Sequence, residues 1–66
     1  MSILSIREYI VELRKNQKVR QNKVASHLGV SRYTLNRFEK GKVELKLDKL
    51  QLYADYLGYE IRLLKK

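Results

Sequence analysis

Cysteine and proline are absent from this chain of 66 residues, histidine occurs once and glycine three times. Without cysteine no disulfide can form, and with one histidine the usual zinc ligand sets are excluded. No segment approaches the roughly 18 consecutive apolar residues of a membrane span, and the N-terminus lacks the pattern of a signal peptide. We therefore expect one soluble, cytoplasmic domain over residues 1–66, with no metal and no cofactor.

Acidic residues are also scarce, because 15 lysines and arginines stand against seven aspartates and glutamates and give a net charge of +8. A protein with this positive charge attracts polyanions such as nucleic acid, although a basic surface can also serve only to keep the protein soluble. The few carboxylates are scattered, and Ser31 has no accompanying base and orienting acid. The sequence therefore does not predict an enzyme.

Apolar residues spaced by three or four predict four helices. In the first helix the stripe is Ile3, Ile6, Ile10 and Leu13, with Ser2 or Ser5 as its cap. The second helix covers residues 21–28, and the third covers residues 32–40. The fourth helix covers residues 47–57, and its stripe is Leu47, Leu50, Ala54 and Leu57.

After Gly58 apolar residues recur at every second position, and this alternation predicts a short strand over residues 59–64. A lone strand cannot satisfy its own backbone groups, and a core this small is only marginally stable. We therefore expect a homodimer joined through residues 47–66. The side chains assigned to this interface are Tyr53, Tyr56, Leu57, Tyr59, Ile61 and Leu63.

Residues 21–40 have the pattern of two short helices that cross at a tight turn. Ala25 is small enough for a close crossing, Gly29 ends the first helix, and Val30 and Leu35 fill the angle between the helices. Ser31 is a good N-cap for the second of these helices. Because that helix carries long polar side chains, it suits insertion into the major groove of DNA.

The same stretch resembles the Xre/Cro-type helix-turn-helix family of phage and bacterial repressors. The matching positions are Gln21, Val24, Ala25, Leu28, Gly29, Val30, Ser31, Leu35, Glu39, Lys40, Gly41 and Lys42. The resemblance covers residues 6–57 and implies a mainly α, four-helix domain of the Cro and lambda-repressor type. The chain departs from the family at Arg20, where a Ser or Thr cap is usual, and it lacks the usual proline before the fourth helix.

The resemblance also implies roles for individual side chains. Those expected to read bases are Arg32, Tyr33, Asn36 and Arg37. Those expected to contact the DNA backbone are Gln21, Ser31, Thr34, Lys40 and Lys42. Asn36 and Thr34 could each serve either purpose. Arg14 and Glu39 match a buried ion pair, which gives both a structural role.

The resemblance implies a dimeric repressor that binds a near-palindromic operator in duplex DNA. An alternative comes from the ending of the chain, from Leu57 to Leu63, which resembles HipB-like antitoxins. Such a protein would repress its own operon and also bind a toxin protein. An RNA-binding role is less favoured, because the aromatic residues fall mostly outside the basic helix.

Overall fold

Four helices make up the described part of the chain, residues 5–62 of a computed structural model. They are α1 (Ile6–Asn16), α2 (Gln21–Leu28), α3 (Arg32–Glu39) and α4 (Leu47–Tyr56). The mainly α, four-helix architecture is confirmed, and the limits of α2, α3 and α4 agree within about a residue with those that periodicity predicts. Ser2 and Ile3, predicted as a possible cap and as the first apolar position of the first helix, lie outside the described residues. None of the helices in this range is both long and apolar enough to cross a membrane.

Local chemistry explains where α1 and α2 begin and end. Ser5 caps α1, since its hydroxyl oxygen accepts a hydrogen bond from the Glu8 amide at 3.1 Å. The α2 helix ends at Gly29, whose φ of +74° is favourable only for a residue without a Cβ. In this conformation the amide of Val30 donates to the carbonyl of Ala25 and closes the helix end.

The core lies where all four helices meet. Its buried apolar members are Ile10, Val24, Ala25, Leu28, Leu35, Phe38, Tyr53, Ala54 and Leu57. The α2 helix packs against both α3 and α4, and α1 packs against α3. Each large side chain buried here contributes about 1.5–3 kcal/mol to folding relative to an exposed one. This packing fixes α3 on one side only and leaves its other side in solvent.

The predicted strand is not present in residues 59–62, and residues 63 and 64 lie outside the described part of the chain. The amide of Tyr59 donates to the carbonyl of Ala54 at 2.9 Å and so closes the end of α4. That amide is therefore occupied in capping a helix. The neighbouring residues have no second strand within residues 5–62 to pair with.

Two further predictions for α4 are wrong. Tyr53 has no exposed surface and Leu57 is 5% exposed, so both belong to the chain's own core and not to a dimer surface. Leu47, predicted to continue the buried stripe, is 55% exposed at the first turn of α4. The apolar pattern shows that α4 is buried on a broad side, but it does not distinguish burial within the chain from burial against a partner.

Candidate nucleic-acid interface

The α3 helix presents an exposed polar side and a buried apolar side. Leu35 and Phe38 lie in the core and hold the helix in place. Arg32 and Tyr33 are exposed at its first turn, with Tyr33 70% accessible, and Arg37 is partly exposed one turn later. Asn36 is partly exposed as well and lies beside Arg32 and Tyr33 in one shallow depression. The four side chains expected to read bases therefore lie on one helix, and each is at least partly exposed to solvent.

The hydroxyl group of Ser31 forms hydrogen bonds with both the hydroxyl group and the backbone amide of Thr34. The Ser31 oxygen accepts from the Thr34 amide at 3.0 Å, and the Ser31 hydroxyl donates to Thr34 Oγ1 at 3.0 Å. This arrangement caps the start of α3 and fixes the direction of its first turn. Both residues lie next to the predicted interface, and their role in this structure is to position the helix.

The N-terminus of α2 lies beside the start of α3. Its N-cap, Arg20, makes no side-chain cap hydrogen bond, so the first amides of the helix keep unused donors. A depression of about 370 Å³ opens here, and its lining residues are Arg14, Arg20, Gln21, Asn22 and Arg32. Cationic side chains next to a free helix N-terminus provide the chemistry that binds a phosphate.

A buried polar network joins all four helices behind this surface. Arg14 on α1 donates through Nε to Glu39 Oε2 at 2.8 Å and through Nη2 to Oε1 at 2.7 Å. Gln21 Nε2 donates to Glu39 Oε1 at 2.9 Å, and the hydroxyl of Tyr53 donates to Oε2. The expected pair of Arg14 and Glu39 is thus part of a larger cluster centred on one carboxylate at the end of α3.

The pKa values within the network reflect burial and hydrogen bonding, which oppose each other at Glu39 and Arg14 and act in the same direction at Tyr53. Burial acts to raise the pKa of Glu39, but hydrogen bonds from Arg14, Tyr53 and Gln21 outweigh it, and the net shift is downward. Burial acts to lower the pKa of Arg14, and the bond to Glu39 reverses that effect. For Tyr53, burial and the bond to Glu39 both raise the pKa well above its ordinary value. The carboxylate is therefore held ionised and the phenol neutral.

Gln21 and Tyr53 differ from what the sequence predicts for them. The side-chain nitrogen of Gln21 donates inward to Glu39, whereas the sequence predicts that this side chain contacts a phosphate. Tyr53 completes the network instead of a dimer surface. One signal points to this role: a tyrosine in the middle of an apolar stripe needs a buried partner for its hydroxyl.

Lys40 and Lys42 are exposed on either side of Gly41, just after α3. The amides of Gly41 and Lys42, which could have contacted phosphates, donate instead to Phe38 and Arg37 carbonyls at 2.9 Å. The side chains of Lys40 and Lys42 remain available at this turn. Of the other residues assigned to a dimer, Tyr56 is 40% and Tyr59 47% exposed, Ile61 is partly buried, and Leu63 lies outside the described residues.

Comparison with known proteins agrees with this geometry. A family model described as helix-turn-helix matches residues 10–64, most of the chain and all of α2, α3 and α4. No curated protein and no solved structure matches it. Residues 5–62 contain no cluster of His, Cys, Asp and Glu side chains that could hold a metal ion. From its helices, its exposed basic α3 and this match, the chain belongs to the Xre/Cro-type helix-turn-helix family of DNA-binding transcription regulators.

Proposed function

We propose that this protein is a sequence-specific repressor that binds a near-palindromic operator in duplex DNA as a homodimer. The observation that carries the proposal is the two-sided character of α3. Leu35 and Phe38 anchor the helix from inside, while Arg32, Tyr33 and Arg37 extend from its outer side. A helix held in this way can enter a major groove without loss of core packing.

Base reading is assigned to the outer side of α3. Arginine can donate two parallel hydrogen bonds to O6 and N7 of guanine, which is the commonest specific contact between protein and DNA. Arg32 and Arg37 supply two such groups, and Asn36 can make the corresponding contact to adenine. Tyr33 offers an aromatic surface for a thymine methyl group. These residues give the proposal its sequence specificity.

Phosphate contacts are assigned to both ends of α3. The free amides at the start of α2 lie beside Arg20 and Arg32 at one end, and Lys40 and Lys42 lie at the other. Such contacts fix the orientation of the protein on the duplex but carry no sequence information of their own. They also account for the large positive charge of the chain.

The homodimer is proposed because α3 has eight residues and is about 12 Å long, enough for one short half-site. Two copies related by a two-fold axis place their recognition helices about 34 Å apart, one turn of DNA. Tyr56 and Tyr59 supply exposed apolar surface at the C-terminal end, where a second copy can bind. The strand on which the resemblance to HipB-like antitoxins depends is not present in residues 59–62, so a toxin partner is not part of the proposal.

Selection of bound sites from random duplex DNA tests this function. We expect enrichment of one sequence with two-fold symmetry and half-sites about 10 base pairs apart, centre to centre. Sedimentation of the complex on the selected site should give two chains for each duplex. Recovery of no preferred sequence, or of an asymmetric site occupied by one chain, would overturn the proposal. A reporter promoter that carries the selected site should lose activity when the protein is present, and a gain in activity would contradict repression.

A further inference from the structure

The guanidinium of Arg7, near the start of α1, lies against the turn at Gly41 that follows α3. A Cβ placed on Gly41 would lie 3.1 Å from Arg7 Cζ, 3.2 Å from Nη2 and 3.3 Å from Nη1. Because these three distances are nearly equal, the flat face of the guanidinium covers the turn. The φ of Gly41, +77°, is one that residues with a Cβ rarely adopt, and a Cβ there would require the guanidinium to shift by a few tenths of an ångström.

The guanidinium of Arg7 contacts the turn through its flat face, so its edge stays free. The N–H groups of arginine lie in the guanidinium plane and form a fork that matches phosphate geometry. Within residues 5–62, Arg7 donates no side-chain hydrogen bond, and its nearest carboxylate oxygen, on Glu8, is 3.9 Å from Nη2. About a third of the side chain is exposed, at 36%. The donors are therefore available to a ligand.

The surroundings of Arg7 favour an anion. Lys40 and Lys42 flank Gly41 in sequence and are exposed, so the turn against which Arg7 lies carries two further positive charges. Glu44 lines the same depression as Arg7, but it forms no ion pair with it within 4.0 Å. An anion bound by Arg7 is attracted by these charges as well.

We propose that Arg7 binds a phosphate of the DNA backbone beside the C-terminal end of α3. This inference rests on the proposed function, because it requires α3 to lie in the groove. The α3 helix, Arg32–Glu39, is about 12 Å long, which is close to the roughly 12 Å width of the major groove. Arg20, which lies beside the start of α3, and Arg7, at its end, can therefore reach phosphates on opposite walls of the groove.

A purely structural role for Arg7 makes a different prediction. A cation near the C-terminus of α3 would stabilise the helix dipole, and its removal would lower stability without changing DNA contacts. The two roles are separated by the dependence of DNA affinity on salt. Each phosphate contact contributes about 0.9 to the slope of log affinity against log salt concentration.

The test compares Arg7→Gln with Arg62→Gln as its control. Both changes remove one guanidinium, and Arg62 is an exposed residue, 73% accessible, that pairs with Glu60 in the C-terminal segment. Fluorescence anisotropy with the selected operator and with random duplex DNA gives the affinity between 50 and 200 mM salt. Circular dichroism checks that each variant is folded.

For Arg7→Gln we expect a slope lower by about 0.9 on both duplexes. The unmodified protein should thus lose about three times more affinity than this variant over a fourfold rise in salt. The base preference and the slope of Arg62→Gln should not change. An Arg7→Gln slope equal to that of the unmodified protein would overturn the inference, and a lower unfolding temperature beside it would establish the dipole role. Failure of the proposed function is distinguishable, because the unmodified protein would then prefer no sequence at all.

Discussion

The guanidinium of Arg37 lies over the aromatic ring of Tyr33, with Cζ 5.6 Å from the ring centroid. Arg37 Nη1 is also 3.5 Å from the Tyr33 hydroxyl oxygen, at the limit of a hydrogen bond. The two residues are four positions apart on α3 and so share one side of the helix. The ring restricts the long arginine side chain before DNA is bound, which lowers the entropy that binding must remove.

A double-mutant cycle on the operator measures this coupling. We expect Arg37→Ala to weaken binding by about 1–3 kcal/mol and to relax the preference at one base pair. Tyr33→Ala should relax the preference at the same base pair, because Arg37 loses its support. In the Arg37→Ala background the effect of Tyr33→Ala should shrink by about 0.5–1 kcal/mol. Strictly additive losses, or effects at two unrelated base pairs, would show that the residues act independently.

The carboxylate of Glu39 is the common acceptor of the buried network. In Glu39→Gln the Arg14 guanidinium keeps its charge without a carboxylate partner, and we expect a loss of about 3 kcal/mol in the free energy of unfolding. Such a loss is comparable to the whole stability of a domain this small. Urea denaturation followed by circular dichroism provides the measurement.

Glu60→Gln is the matched control, because it removes the same charge from an exposed pair. Glu60 and Arg62 are 66% and 73% accessible, and such pairs contribute little, so we expect a change within about 0.5 kcal/mol. Equal effects of the two substitutions would mean that the network on Glu39 does not stabilise the fold.

The network also predicts how stability depends on pH. The pKa of Glu39 is lower in the folded chain than its ordinary value of 4.5. Its contribution is therefore complete above that pH and is lost as the pH falls through the lowered value. The pKa of Tyr53 is raised above its ordinary 10.0, so its contribution is complete below pH 10 and is lost at higher pH.

Urea denaturation over a pH series separates the two effects. The stability difference between the unmodified protein and Glu39→Gln should narrow below about pH 4.5. The stability difference between the unmodified protein and Tyr53→Phe should narrow above about pH 10. Differences that stay constant across both ranges would contradict the assigned protonation states.

The hydroxyl of Ser31 stabilises α3 by capping it. Ser31→Ala should lower the free energy of unfolding by about 1 kcal/mol, since the Thr34 amide loses its acceptor. Ser26→Ala, at an exposed position on α2, is the control and should change stability little. Thermal unfolding of both variants checks this prediction, and an equal effect of the two changes would show that the cap does not contribute.

Local pattern was enough to predict the helices and the exposed residues of α3. Spacing of apolar residues depends on the backbone geometry of one helix, and the caps at Ser5, Gly29 and Ser31 act within a few residues. The pairing of Arg14 with Glu39 came from family resemblance, because 25 residues separate them.

What local pattern could not predict depends on contacts between distant segments. The family resemblance implies a phosphate as the partner of the Gln21 side chain, and only the packed structure places its amide nitrogen on Glu39. Tyr53 and Tyr59 look alike in the periodic pattern, yet one is buried in the core and the other is 47% exposed. The predicted strand failed in residues 59–62 because alternation describes side chains, whereas a strand needs backbone partners.

The central claim is that the outer side of α3 reads bases in the major groove, and methylation interference on the selected operator tests it most directly. Dimethyl sulfate methylates guanine at N7 in the major groove and adenine at N3 in the minor groove. We predict that N7 methylation of guanines in each half-site blocks binding, that one of these positions becomes tolerant in Arg37→Ala, and that N3 methylation has little effect. Interference confined to adenine N3, or none at any base, would contradict the account.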